Sequence, residues 1–172
     1  MKVLVAAASK HGSTMAMAAA IGDALRRPGI HVEVMPVDDV EGVDGYEGVV
    51  LGSAVYAGHW MKPAKEFVER FGEECAAIPV WLFSSGPLGD PPKPEEDPID
   101  AGPMIEATGA LAHRVFPGAL FKDRLGFGER TLVKAVHAPY GDFRAWDDLR
   151  SWADEIAGAL AEDRAPTLIG RA

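Results

Sequence analysis

The sequence predicts an α/β fold built on one parallel sheet with helices on both faces. Short continuous apolar runs occur at residues 3–8, 48–53 and 79–83, the pattern of strands buried on both sides. Segments of helical periodicity lie between them, so strands and helices alternate along the chain. Its 172 residues show no internal repeat and no linker, which predicts a single domain over residues 1–162 and a short tail at 163–172.

The first strand, residues 3–8, stops at the polar Ser9-Lys10-His11-Gly12. Met17, Ile21, Ala24 and Leu25 then recur at helical spacing, with Ser13 or Thr14 able to cap the start and Pro28-Gly29 ending the helix near Arg27. Residues 30–37 read as a second strand and 38–47 as an acidic loop with one turn of helix. A third strand at 48–53 leads through a loop at 54–61 to a helix opening at Lys62-Pro63, where proline suits the first turn. Its apolar face is Ala64, Phe67, Val68 and Phe71. A fourth strand at 79–83 ends at Ser84-Ser85-Gly86-Pro87. Residues 86–103 hold six of the prolines, Pro87, Pro91, Pro92, Pro94, Pro98 and Pro103. Loops of that length are usually functional. Residues 104–113 read as a helix, 119–121 as the fifth strand, and a short helix fits within 129–137. Trp146, Leu149, Trp152, Ile156 and Leu160 form the stripe of a last helix, with Asp142 as its expected N-cap.

Composition narrows the function. Seventeen Lys and Arg stand against 26 Asp and Glu, a formal net charge of −9. Such a surface repels phosphate backbones and anionic lipid, so it predicts no nucleic-acid partner and at most peripheral membrane association. It suits a basic protein partner. One cysteine, Cys75, excludes an internal disulfide and any multi-cysteine metal site, and points to a reducing, cytoplasmic compartment. Cys75 follows Glu73 and Glu74, which raise a thiol's pKa, so it reads as a packing residue. No metal site is expected.

Ligands of such sheets sit beyond the carboxyl ends of the strands, where the strand order switches. Three loops lie there. Ser9-Lys10-His11-Gly12-Ser13-Thr14 joins a buried strand to a helix N-terminus, whose free amides and dipole attract an anion. It has neither the Gly-Lys-Ser/Thr of a nucleotide-triphosphate loop nor a dinucleotide fingerprint, so it suits a monophosphate. The second loop, Ser53-Ala54-Val55-Tyr56-Ala57-Gly58-His59-Trp60, offers aromatics to stack on a flat ring and a glycine at which a peptide can turn. The third, Ser84-Ser85-Gly86-Pro87-Leu88-Gly89, is small enough to admit that ring and can bond its polar edge. An anion site, a planar aromatic slot and backbone polar groups together meet the demands of FMN.

These motifs, with the closing Gly141-Asp142-Phe143-Arg144-Ala145-Trp146-Asp147, make the chain resemble the flavodoxin family over residues 2–160. It is most similar to the branch that includes menaquinone-dependent protoporphyrinogen oxidases. The resemblance implies a flavodoxin-like three-layer sandwich with five parallel strands in the order 2-1-3-4-5. It implies that Ser9, His11, Gly12, Ser13 and Thr14 hold the FMN phosphate, with Lys10 in the same loop. Tyr56, Ala57, Gly58 and Trp60, with Ala54 and Val55, would line one side of the flavin. Ser84, Ser85 and Gly86, with Pro87, would line the other. Ala145 stands where the branch commonly has an acidic residue, and the Pro-rich segment at 86–103 departs from the oxidases proper.

Three functions follow from that resemblance. One is an FMN oxidoreductase passing electrons between an organic donor, a porphyrinogen included, and a quinone or other acceptor, with His59 or Lys62 orienting an anionic substrate. Another is a one-electron carrier docking on a basic redox protein. The third is a scaffold of the same fold without flavin. Spacing nominates no catalytic residue. A response regulator is disfavoured because Ala8-Ser9-Lys10 stands where its acidic cluster belongs. A low-molecular-weight phosphatase is disfavoured because the first loop has no cysteine.

Overall fold

The computed structural model describes residues 1–163. Five parallel strands form the central sheet: β1 (Lys2–Ala8), β2 (His31–Pro36), β3 (Gly48–Tyr56), β5 (Val80–Ser85) and β6 (Ala112–Phe116). Their spatial order is β2-β1-β3-β5-β6, while β4 (His59–Trp60) folds back antiparallel on β3. Counting the parallel strands alone, this is the 2-1-3-4-5 order expected.

The alternation of side chains along β1 builds both layers. Val3, Val5 and Ala7 face α1 (Ser13–Leu25) and α5 (Trp146–Asp163), in a core shared with Val50, Phe83 and Trp152. Leu4, Ala6 and Ala8 face α2 (Lys62–Cys75) and a turn of 3-10 helix at Val37–Asp39, with Leu51, Phe67 and Leu82. A third helix, α3 (Ala101–Thr108), packs against α2. Successive residues of a strand point to opposite faces, so an uninterrupted apolar run serves two cores at once. Gly52 permits the closest approach in this core, because a Cβ there would stand 2.1 Å from Phe83 Cζ. Cys75 is buried, and burial, helped by Glu74, pushes its thiol up to about 11.

Several boundaries differ from the sequence reading. The fifth parallel strand is Ala112–Phe116, not 119–121. It is a sheet edge carrying the half-buried His113 and Arg114, so it lacks the apolar run that marks the inner strands. Ala119–Leu120 is instead β7, a short antiparallel partner of β8 (Gly141–Asp142). The helix expected at 104–113 is α3, which stops at Gly109, in the left-handed conformation at φ 63°. The helix expected within 129–137 is α4 (Phe127–Ala135). Asp142 does not cap α5; its carboxylate accepts from the Arg144 guanidinium at 2.6 and 2.8 Å. That guanidinium lies 4.5 Å from the centre of the Trp146 ring and so pins the closing stretch. Of the expected tail, Asp163 belongs to α5 and the remainder lies outside the described residues.

Among the described residues, no helix is long and apolar enough to cross a membrane, and no cluster of His, Cys, Asp or Glu could hold a metal.

Candidate functional site

A cavity of about 1340 Å³ opens at the carboxyl ends of β1, β3 and β5. Its floor begins at the loop between β1 and α1. Gly12 turns the chain there with φ 81°, a conformation that costs glycine little. The helix starts at Ser13 with no side chain capping it, so its first-turn amides keep no intrahelical acceptor. Ser13 Oγ is buried without a hydrogen-bond partner, the one such side-chain atom among the described residues. An unmade bond at a buried hydroxyl costs ~1–3 kcal/mol. Here that hydroxyl lines the cavity beside free amides and a positive helix end, which fits a bound phosphate.

The second wall is the turn between β3 and β4. Tyr56 pairs with His59 across Ala57 and Gly58, whose φ values are 50° and 80°. Two left-handed residues in a two-residue turn match the twist of a tight hairpin. Asp100 fastens this hairpin from α3's start, accepting the Trp60 amide at 2.7 Å, with His59 Nδ1 3.2 Å away. Gly58 O accepts the Ile99 amide at 2.8 Å. Tyr56 is left 48% exposed at the cavity, and the burial of its hydroxyl end raises its pKa. This face suits stacking on a flat ring.

Ser85 and Gly86, at the end of β5, form the third wall. A Cβ at Gly86 would stand 3.0 Å from Val55 Cβ, so glycine lets the two loops close on each other.

Ser9, His11, Ser13, Thr14, Ala54, Val55, Tyr56, Ala57, Ser85 and Gly86 therefore line one cavity. Lys10, Gly12, Gly58, Trp60, Ser84 and Pro87 do not. Trp60 is 2% exposed and packs in the α2-side core. Its indole N–H donates to the buried Ser84 Oγ at 2.7 Å, and Ser84 Oγ lies 2.8 Å from His113 Nε2. Pro87 contributes its carbonyl to the Gly118 amide. Lys10 pairs with Glu129 on α4 at 2.6 Å. Lys62 pairs with Glu66 along its own helix at 2.9 Å.

Of the rest of the lining, Leu88 and Gly89 belong to the third loop expected from the sequence, and the other residues were not expected there. Leu88, Gly89 and residues 90, 91 and 93–96 come from the Pro-rich segment, closed into a ribbon by paired backbone bonds between Leu88 and Lys93. Gly118–Phe121, Arg124 and Leu125 and the far part of α4 supply the opposite side. Glu129 ties α4 to the first loop, within 2.9 Å of His11 Nε2, and also accepts the Gly126 amide at 2.8 Å. Lys10, the Gly126 N–H and His11 together hold its carboxyl at about 2. Proline density at 86–103 was the available signal for the ribbon, whereas the α4 wall depends on tertiary placement.

The flavodoxin domain model matches residues 4–144. Protoporphyrinogen IX dehydrogenase [quinone] of Escherichia coli K12 is 23% identical over 91% of this chain and 95% of that protein. A flavodoxin from the domain Archaea superposes with a TM-score of 0.63 at 19% identity, covering 94% of this chain and 99% of that one. Flavodoxin 1 of Bacillus cereus superposes with a TM-score of 0.62 at 13% identity, covering 92% and 98%. The unpartnered Ser13 hydroxyl, the uncapped first turn of α1 and the exposed Tyr56 ring on one cavity fit FMN. The chain belongs to the flavodoxin domain family.

Proposed function

We propose that this protein is an FMN-dependent oxidoreductase that passes electrons from a reduced organic molecule, of which a porphyrinogen is one candidate, to a quinone. The observation that carries the reading is the extent of the cavity. At about 1340 Å³ it exceeds the ~300–1,000 Å³ of an ordinary small-molecule pocket. It also runs past the three cofactor loops to the Pro-rich ribbon and α4. A carrier needs to bury one cofactor; an oxidoreductase must also admit a reactant. The similarity to a quinone-linked protoporphyrinogen dehydrogenase supports the same reading.

In this account Ser9, His11, Ser13 and Thr14 bind the phosphate, and Ala54–Ala57 and Ser85-Gly86 flank the ring. The bound flavin supplies the redox chemistry, accepting electrons from one partner and delivering them to the other. The chain's own task is orientation. The Asp100 bonds fix the hairpin that carries Tyr56, the Glu129 contacts fix the first loop, and the ribbon and α4 bound the space for the reactant.

The net charge of −9 favours a second reading, a carrier steered to a basic protein. The test is anaerobic reduction of the FMN-loaded protein followed by mixing with menadione or with cytochrome c, a basic haem protein. Rapid reoxidation by menadione, with porphyrin formed from protoporphyrinogen under turnover, supports the oxidoreductase. Reoxidation by cytochrome c alone, suppressed by salt, supports the carrier and rejects the enzyme.

A further inference from the structure

The far wall of the cavity has an unusual composition for a solvent-facing surface. None of the residues of α4 is buried, and Leu132 and Val136 are each 64% exposed. Both nonetheless line the cavity, with Val133 beside them. The contacts that hold this helix in place are polar and lie toward its first half: Glu129 to Lys10 and His11, and the Arg130 guanidinium to the Lys122 carbonyl. Leu132 and Val133, with Val136 just past the helix end, therefore face the cavity without being buried in a core, whereas Phe127 at the helix start is exposed outside it. Leu88 and Pro94 of the ribbon line the same cavity.

The helix ends in a second irregularity. His137 has φ 55°. The Ala138 amide bonds the Val133 carbonyl at 3.1 Å, and the His137 amide approaches the Lys134 carbonyl at 3.3 Å. This is the helix-end position that glycine ordinarily fills, because a Cβ is disfavoured there. A histidine kept in that conformation, lining the cavity, offers a polar group directly after the apolar Leu132, Val133 and Val136.

We propose that the compartment between the ribbon and the C-terminal half of α4 is a second binding site, distinct from the FMN loops. Its ligand is an apolar ring compound bearing a carbonyl, namely a quinone, and His137 hydrogen-bonds that carbonyl. The choice of quinone rests on the oxidoreductase reading above. The apolar lining of the compartment is Leu88, Pro94, Leu132, Val133 and Val136, with His137 as the polar group on the helix side; the ribbon also brings Asp90, Lys93, Glu95 and Glu96 to the cavity.

Menadione binding to the full chain, followed calorimetrically with and without saturating oxidised FMN, tests this without turnover. The expected result is that menadione binds alongside FMN. Leu132→Glu, at an exposed position, should weaken menadione at least tenfold and leave FMN affinity within about twofold. His137→Gly should weaken menadione several-fold while raising the melting temperature, because it relieves the left-handed conformation; a role in folding alone would not give opposite signs. Competition between menadione and FMN, absence of menadione binding, or binding indifferent to Leu132→Glu would overturn the proposal. Failure of FMN to bind would overturn the oxidoreductase reading instead. The titration without FMN would then still decide the compartment, by whether Leu132→Glu abolishes menadione binding.

Discussion

Lys10 and Glu129 form an ion pair at 2.6 Å that joins the loop after β1 to the first turn of α4. The same carboxylate lies 2.9 Å from His11 Nε2. One acidic side chain thus links the expected phosphate loop to the helix that walls the far side of the cavity.

That link has a defined pH response. The Glu129 carboxyl is held at about 2 against an ordinary 4.5. A carboxyl with a lowered folded-state pKa stabilises the fold fully above its unfolded pKa, and that stabilisation is lost as pH falls toward the folded value. The stability difference between wild type and Glu129→Gln should be constant above about pH 5 and shrink between pH 4.5 and 2. Urea melts of both proteins across that range measure it; a difference that grows on acidification would contradict the assignment.

Ser13→Ala should act in opposite directions on the empty and the loaded protein. Removing a buried unsatisfied hydroxyl leaves the apoprotein equally stable or slightly more so. Losing a hydrogen bond to a charged phosphate costs ~1.5–3 kcal/mol, about 10- to 150-fold in FMN affinity. Thermal melts without FMN and flavin fluorescence titrations read the two effects. Equal destabilisation of both states would show that Ser13 serves the fold alone.

The Trp60–Ser84–His113 chain predicts an acid-sensitive element. Ser84 Oγ accepts the indole hydrogen, and with a neutral His113 its own hydrogen is available to Nε2, 2.8 Å away. Burial lowers the His113 pKa below 6.5. Its contribution is therefore complete above about pH 6.5 and declines as pH drops below it. Denaturant stability should fall from pH 7.5 to 5.5 in wild type and fall less in His113→Gln. Ser84→Ala, which strands the buried indole N–H, should cost ~1–3 kcal/mol at pH 7.5.

Gly52→Ala tests the packing under the site. The added methyl would meet the Phe83 ring at 2.1 Å, and overpacking of this kind costs ~1–3 kcal/mol. Gly42→Ala, with nothing within 4 Å, is the control. Phe83→Leu in the Gly52→Ala background should recover part of the loss in urea denaturation. No recovery would place the strain elsewhere.

The parallel core was legible because β1, β3 and β5 are buried on both faces and announce themselves as apolar runs. Edge strand β6 was not, since His113 and Arg114 leave it without that signature, and its first two residues, Ala112 and His113, fell in the helix expected before it. The three loops that line the cavity were legible as the segments following β1, β3 and β5 at one sheet end. Trp60 looked like a ring-stacking residue by type, yet the turn at Ala57-Gly58 returns it into the core against Ser84. That outcome depends on the two positive φ values, which nothing in the local sequence beyond Gly58 advertises. The α4 wall was the least visible part, because its position depends on Glu129 reaching residues far away in sequence.

Titration of the purified apoprotein with FMN, followed by flavin fluorescence and the visible absorption spectrum, tests flavin binding at these loops most directly. Saturable 1:1 binding with a shifted flavin band is the expected result. Ser13→Ala and Tyr56→Ala should each weaken it markedly, and neither should lower apoprotein stability appreciably. An unperturbed flavin spectrum at stoichiometric concentrations, or binding indifferent to both substitutions, would contradict flavin binding at these loops.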